Sequence, residues 1–189
     1  MMRLSARIAA VVTVFCAFWA ADTTSRAQNY RAVDIEANER EAEALITERI
    51  NTERAHFAPG APHLKLDSSL EFIAHQRSDD MAHGAAFAHE DSEGHFAAAE
   101  MIRARFGPYG AIGENIMMER DPARAFEPQA FARRAVQGWM NSEGHRANIL
   151  SPEYDRSAVG VVIEGSYIYA TQVFWGPPKR TPGKAGRRR

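Results

Sequence analysis

The chain has 189 residues, 45% of them hydrophobic and 10% aromatic, enough to bury the core of one globular domain but thin for two. With 25% charged residues, 13 Gly and 9 Pro, collagen-like, mucin-like and wholly disordered chains are excluded. The net charge of −1 conceals an uneven distribution: residues 28–178 hold 14 basic and 23 acidic side chains, which argues against a nucleic-acid-binding role for that part of the chain.

Residues 1–27 read as a cleavable signal peptide. Arg3 and Arg7 precede an uncharged apolar run of 14 residues from Ile8 to Ala21, followed by small residues up to Ser25-Arg26-Ala27. The run is short of the roughly 20 residues needed to span a bilayer core, so a secreted or periplasmic location is expected. The single cysteine, Cys16, lies inside it. Thiol catalysis and disulfides are then excluded for the mature domain, which must fold on packing alone or with help from a metal.

Residues 34–57 place Ala42, Leu45, Ile46 and Ile50 on one stripe of a first helix, and Pro59-Gly60-Ala61-Pro62 breaks it. Ser68 with Glu71 predicts a capping box opening a second helix, with Leu70, Ile73, Ala74, Arg77 and Met81 at helical spacing and Gly84 as its stop. A third helix is expected from Ser92 or Glu93 to Phe106, with Phe96, Ala99, Ile102 and Phe106 inward and Gly107-Pro108 as its end. The glycine-containing stretch from Phe106 to Asp121, with Met117 and Met118 exposed, reads as a flexible loop rimming a cleft.

Pro128 at a first helical position opens a fourth helix that buries Phe131, Ala135, Val136 and Trp139. After Pro152 the period changes to two. Val159, Val161 and Ile163, then Ile168, Ala170, Gln172 and Phe174, flank Glu164-Gly165-Ser166 as a β-hairpin. Helices first and a hairpin last predict an α+β domain over residues 28–178. The last eleven residues carry six Lys or Arg and no acid; they read as a basic, disordered tail, with contact to anionic surface polymers as the alternative.

Among seven histidines, those at 89 and 95 lack the i,i+4 spacing of a zinc-protease helix, and no phosphate-binding loop, dinucleotide fingerprint or nucleophile elbow is present. A set of short strings remains, in order: Asn51-x-x-Arg54, Leu64 and Asp67, Phe87-Ala88-His89, Gly113-Glu114-Asn115-Ile116, Trp139-x-x-Ser142-x-Gly144-His145-Arg146-x-Asn148-Ile149-Leu150, Gly160-Val161 and Tyr169-x-x-Gln172-x-Phe174. Together, over about residues 40 to 175, they resemble the CAP superfamily of cysteine-rich secretory, antigen 5 and pathogenesis-related proteins, in its bacterial SCP-like branch.

The resemblance implies a three-layer α-β-α sandwich with a central, mostly antiparallel sheet, and a cleft where two histidines and two acids meet and a divalent metal such as zinc can bind. The matching positions are His89, Glu114 and His145. The second acid has no match: the family's Trp-x-x-Glu reads Trp139-Met140-Asn141-Ser142 here, with Glu143 one residue late and so rotated by about 100° on a helix. Two imidazoles and a carboxylate would leave one position on zinc open for an activated water. Alternatively, Glu114 accepts hydrogen bonds and pairs with the histidines to brace the cleft.

The expected function is an exported binding or interaction module for an unidentified small-molecule, lipid or cell-surface ligand, the rival being a metal-dependent hydrolase using the same cleft. Asn51 and Arg54 are expected to tie the first helix to neighbouring backbone, and Asn115 and Asn148 to fasten loops. Trp139, Phe131 and Phe174 are assigned to the core.

Overall fold

The computed structural model describes residues 34–121 and 126–179. The leader read at residues 1–27 and all of the basic tail except Lys179 lie outside them. The chain divides into residues 1–37 and 38–189; of the first unit only 34–37 are described, as helix, and the architecture below belongs to the second.

Helix α1 (34–57) buries Ala42, Ile46 and Ile50, one per turn. A two-residue strand β1 (Lys65–Leu66) leads into α2 (Ser68–Ala82). Its cap is Asp67, not Ser68: Asp67 is extended and its Oδ1 accepts from the amides of Ser69 at 3.0 Å and Leu70 at 3.4 Å, so Ser68 is already the first helical residue. Leu70, Ile73, Ala74, Arg77 and Met81 are all buried, and the helix gives way at His83 to Gly84, whose φ of +116° suits glycine.

Helix α3 (Ala97–Phe106) begins later than the sequence predicts. The Asp91 carboxylate accepts from the amides of Glu93 and His95, and this local turn competes with helix over residues 92–95. The expected loop rim is corrected more fundamentally. Residues 111–120 form β2 (Ala111–Arg120), paired with β4 along its whole length, with Met117 half-buried and Met118 exposed.

Helix α4 (Pro128–Asn141) is followed without a loop by a short α5 (Glu143–Leu150). The hairpin closes the fold as β3 (Arg156–Glu164) and β4 (Tyr167–Gly176), with Gly165 at φ +61° in the turn.

The sheet order is β1-β3-β4-β2, antiparallel except for the β1–β3 pair. Alternation along the strands divides two apolar layers. Ala158, Val173 and Trp175 face α2 and α3; Val159, Val161, Ile168, Ala170 and Phe174 face α1, α4 and α5. The result is the α-β-α sandwich expected from the motif strings. Gly160 makes one contact possible: a Cβ there would overlap the α2 backbone at Ala74 and His75.

Side chains close both rims of the sheet. Along β2, the carbonyls of alternate residues accept from three donors: Ile112 from the Tyr154 hydroxyl at 3.0 Å, Glu114 from Asn148 Nδ2 at 3.2 Å, and Ile116 from Trp139 Nε1 at 3.2 Å. Along β3, the amides of Val161 and Ile163 each donate at 2.7 Å to the carboxylates of Glu43 and Glu39 on α1. The i,i+4 rise of a helix and the i,i+2 rise of a strand are both between 6 and 7 Å, so one turn of α1 matches two rungs of β3.

Candidate functional site

The site is assembled by one helix, one loop and one strand. Arg77 lies on the buried stripe of α2, where a guanidinium is tolerated only with a partner. That partner is Glu114, which β2 holds with its side chain fully buried; Arg77 Nε donates to Glu114 Oε1 at 2.9 Å. The same arginine donates to the carbonyl of Ala88 at 2.7 Å, fixing the residue before His89.

His89 Nδ1 lies 2.8 Å from Glu114 Oε2, and its side chain is 40% exposed. His145, on α5, completes the group: the two imidazole centroids are 6.3 Å apart. Its position is fixed through the backbone, since Asn115 Nδ2 donates to the His145 carbonyl at 3.2 Å and Asn148 Nδ2 donates to Asn115 Oδ1 at 3.0 Å.

The two histidines titrate in opposite directions. The hydrogen bond to Glu114 raises His89 above the usual imidazole range, against partial burial, whereas burial first and the charge of His89 second lower His145. As pH falls, a proton therefore binds His89 before His145.

The sequence-derived residues thus meet, but in different roles. Each Glu114 oxygen already accepts a hydrogen bond, one from Arg77 and one from His89. Among the described residues no three His, Cys, Asp or Glu side chains form a metal-binding group. A three-ligand set of His89, Glu114 and His145 is not assembled. With Nδ1 turned to Glu114, His89 presents Nε2, and His145 is its neighbour.

Ser142 ends α4 and precedes α5 with no side-chain cap hydrogen bond. Glu143 is exposed and lines a shallow depression with Met140, Asn141 and Arg146 that does not include His145. Neither replaces the missing second acid. Arg77 was not singled out as a site residue from the sequence; the available signal was a lone charge on an apolar helical stripe.

The model of the CAP, cysteine-rich secretory protein family matches residues 47–175. The chain belongs to this family. Among relatives, the YkwD protein of Bacillus subtilis strain 168 is 33% identical over 124 residues, 66% of this chain and 44% of its own. The chain spans less than half the length of the curated relatives it matches.

Among solved CAP structures, an extracellular SCP-domain protein from Bacillus anthracis superposes with a TM-score of 0.58 at 27% identity, covering 73% of this chain and 41% of that one. The fold is shared again by an outer surface protein of Borrelia burgdorferi, with a TM-score of 0.59 at 18% identity over 74% of this chain and 94% of that one.

Proposed function

We propose that this CAP domain is an exported binding module whose His89–His145 cleft takes a divalent cation or a ligand carrying one, and that it is not a hydrolase. The observation that carries the reading is the engagement of Glu114 between Arg77 and His89. A carboxylate balanced by a buried guanidinium and bonded to an imidazole orients that imidazole, and is poorly placed to serve as a general base for water.

His89 Nε2 and His145 would hold the cation, a metal supplying Lewis acidity to whatever oxygen its ligand presents. Both imidazoles must be neutral to do so. The export reading is supported by the leader-like residues 1–27 and by the descriptions of related CAP structures as extracellular or outer-surface proteins.

Equilibrium dialysis of the purified protein against zinc tests the cation site. Stoichiometric binding at pH 8, lost in a His89→Ala/His145→Ala variant, is the expected result. Absence of binding overturns the cation reading, and peptide hydrolysis that disappears in the same variant establishes the hydrolase instead. Export is tested by fractionation: recovery of the protein in the cytoplasmic fraction with residues 1–27 intact would refute it.

A further inference from the structure

A second recess, which does not include His89 or His145, lies beside α5. The facing stripes of α1 (Leu45, Arg49, Glu53) and α4 (Arg133, Val136, Met140) form its walls, Arg146 and Phe57 stand at one end, and its volume is about 780 Å³. His145 and Arg146 are adjacent on α5 and diverge by about 100°, so one helix serves both places without the two sites sharing a side chain.

Three arginines line this recess, and among the described residues none of them forms an ion pair; the Nε of Arg49 is buried without a hydrogen-bond partner. Arg49 and Glu53 have the i,i+4 spacing that normally pairs charges on a helix, yet they are not bridged. Arg146 instead lies over the Phe57 ring, 5.6 Å from its centroid, and that ring is 51% exposed. Glu48 and Glu53 also line the recess, leaving it one positive charge in excess, in a domain where acids outnumber bases.

An unsatisfied, buried guanidinium N–H carries a desolvation cost that a bound acceptor would remove. The planar fork of arginine matches phosphate oxygens in particular.

We infer that the recess between α1 and α4 binds the phosphate group of a ligand, with Arg49 and Arg133 as the gripping side chains and Arg146 as a third contact held by Phe57. This site is separate from the proposed cation site and stands or falls independently of it. The phosphate can belong to a soluble polyphosphate or to a lipid headgroup; the chemistry at the arginines is the same.

The test is titration calorimetry of the full chain with inorganic pyrophosphate at low salt, alongside sedimentation with phosphatidylglycerol and phosphatidylcholine vesicles. Binding of pyrophosphate, or of phosphatidylglycerol over phosphatidylcholine, should weaken by about tenfold or more in Arg49→Gln and in Arg133→Gln. It should be unchanged in Arg105→Gln, and it should fall with added salt. Arg133 is exposed, so its variant reports on binding even if Arg49→Gln perturbs the fold. Pyrophosphate binding identifies a soluble source and vesicle binding alone a headgroup. Binding of neither probe, or affinity unchanged in Arg133→Gln, overturns the inference.

Discussion

The Arg77–Glu114 pair is buried on both sides, and such pairs are far costlier to break than to omit. Glu114→Gln should therefore destabilise the domain by about 3 kcal/mol or more, read by denaturant unfolding, and replacing both partners by Met should recover part of that loss. The same variant removes the cause of the raised His89 pKa. In a histidine NMR titration, His89 of the wild type should titrate above the ordinary imidazole range and fall back toward it in Glu114→Gln. The sign for stability follows from that direction: the His89–Glu114 contribution is complete below the ordinary value of 6.5 and is lost as pH rises through the raised value. At the proposed cation site the trend would be opposite, because protons compete for Nε2: any zinc bound there should be released as pH falls through that raised value.

Glu43 gives a second test, with a defined pH window. Burial raises its pKa from 4.5 to about 7, although the Val161 amide favours the carboxylate. A carboxyl raised on folding stabilises fully below 4.5 and loses that contribution as pH climbs to about 7. Glu43→Gln keeps an oxygen for Val161 and removes the titration. It should be near neutral at pH 4.5 and stabilising by roughly 1–2 kcal/mol at pH 8 once solvent screening is allowed for, measured as the difference in thermal midpoint between the two pH values.

Legibility at this scale depended on whether a role leaves a local pattern. His89, Glu114 and His145 were found through motif strings, and so were Asn51 and Arg54, which were expected to tie the first helix to neighbouring backbone. Asn51 does exchange both its amide groups with the Leu64 backbone. Arg77 was seen only as a stripe residue, because its partner lies 37 positions away and nothing nearby announces it.

At the scale of elements, α1, α2 and α4 were readable because each turns an apolar stripe to the sheet, and the terminal hairpin because two runs rich in β-branched and aromatic residues flank a glycine turn. Strand β2 was not. Its central residues Gly113, Glu114, Asn115 and Ile116 are all buried yet include a charged and an amide side chain, so the alternation of apolar and polar residues that marks a half-exposed strand is absent, and Gly113, with Gly107 and Gly110 just before the strand, mimics a loop. β1 has two residues and α5 eight, too few for a period to show.

The capping of β2 explains why glycine is required at 113. A Cβ there would come within 2.6 Å of the Tyr154 hydroxyl and 3.0 Å of Asn148 Oδ1, displacing two of the three caps. Gly113→Ala should accordingly lower stability by more than Tyr154→Phe, which forfeits one hydrogen bond worth about 1 kcal/mol. Hydrogen exchange along β4 should rise more in the alanine variant. An equal effect of the two substitutions would show that the caps contribute little.

At the scale of the molecule, Arg54 connects what the sheet does not. It is 2% exposed and its guanidinium donates to the carbonyls of Pro62, Ile149, Ser151 and Tyr154, joining α1, the turn after it, the end of α5 and the approach to β3. Lysine has the charge but not the fork, so Arg54→Lys should cost about 2–4 kcal/mol in denaturant unfolding while leaving the His89–Glu114 titration in place.

Those carbonyls lie 8 to 100 positions from Arg54 in sequence, a long-range fastening of the kind that disulfides supply in many small secreted domains. The described domain has no sulfur–sulfur bond to make, and its long-range fastening is formed by one guanidinium and four peptide oxygens. Its assembly thus requires neither an oxidant nor a bridge-shuffling catalyst. The unfolding midpoint should be the same with and without a thiol reductant, so the fold is equally accessible in an oxidising and in a reducing compartment.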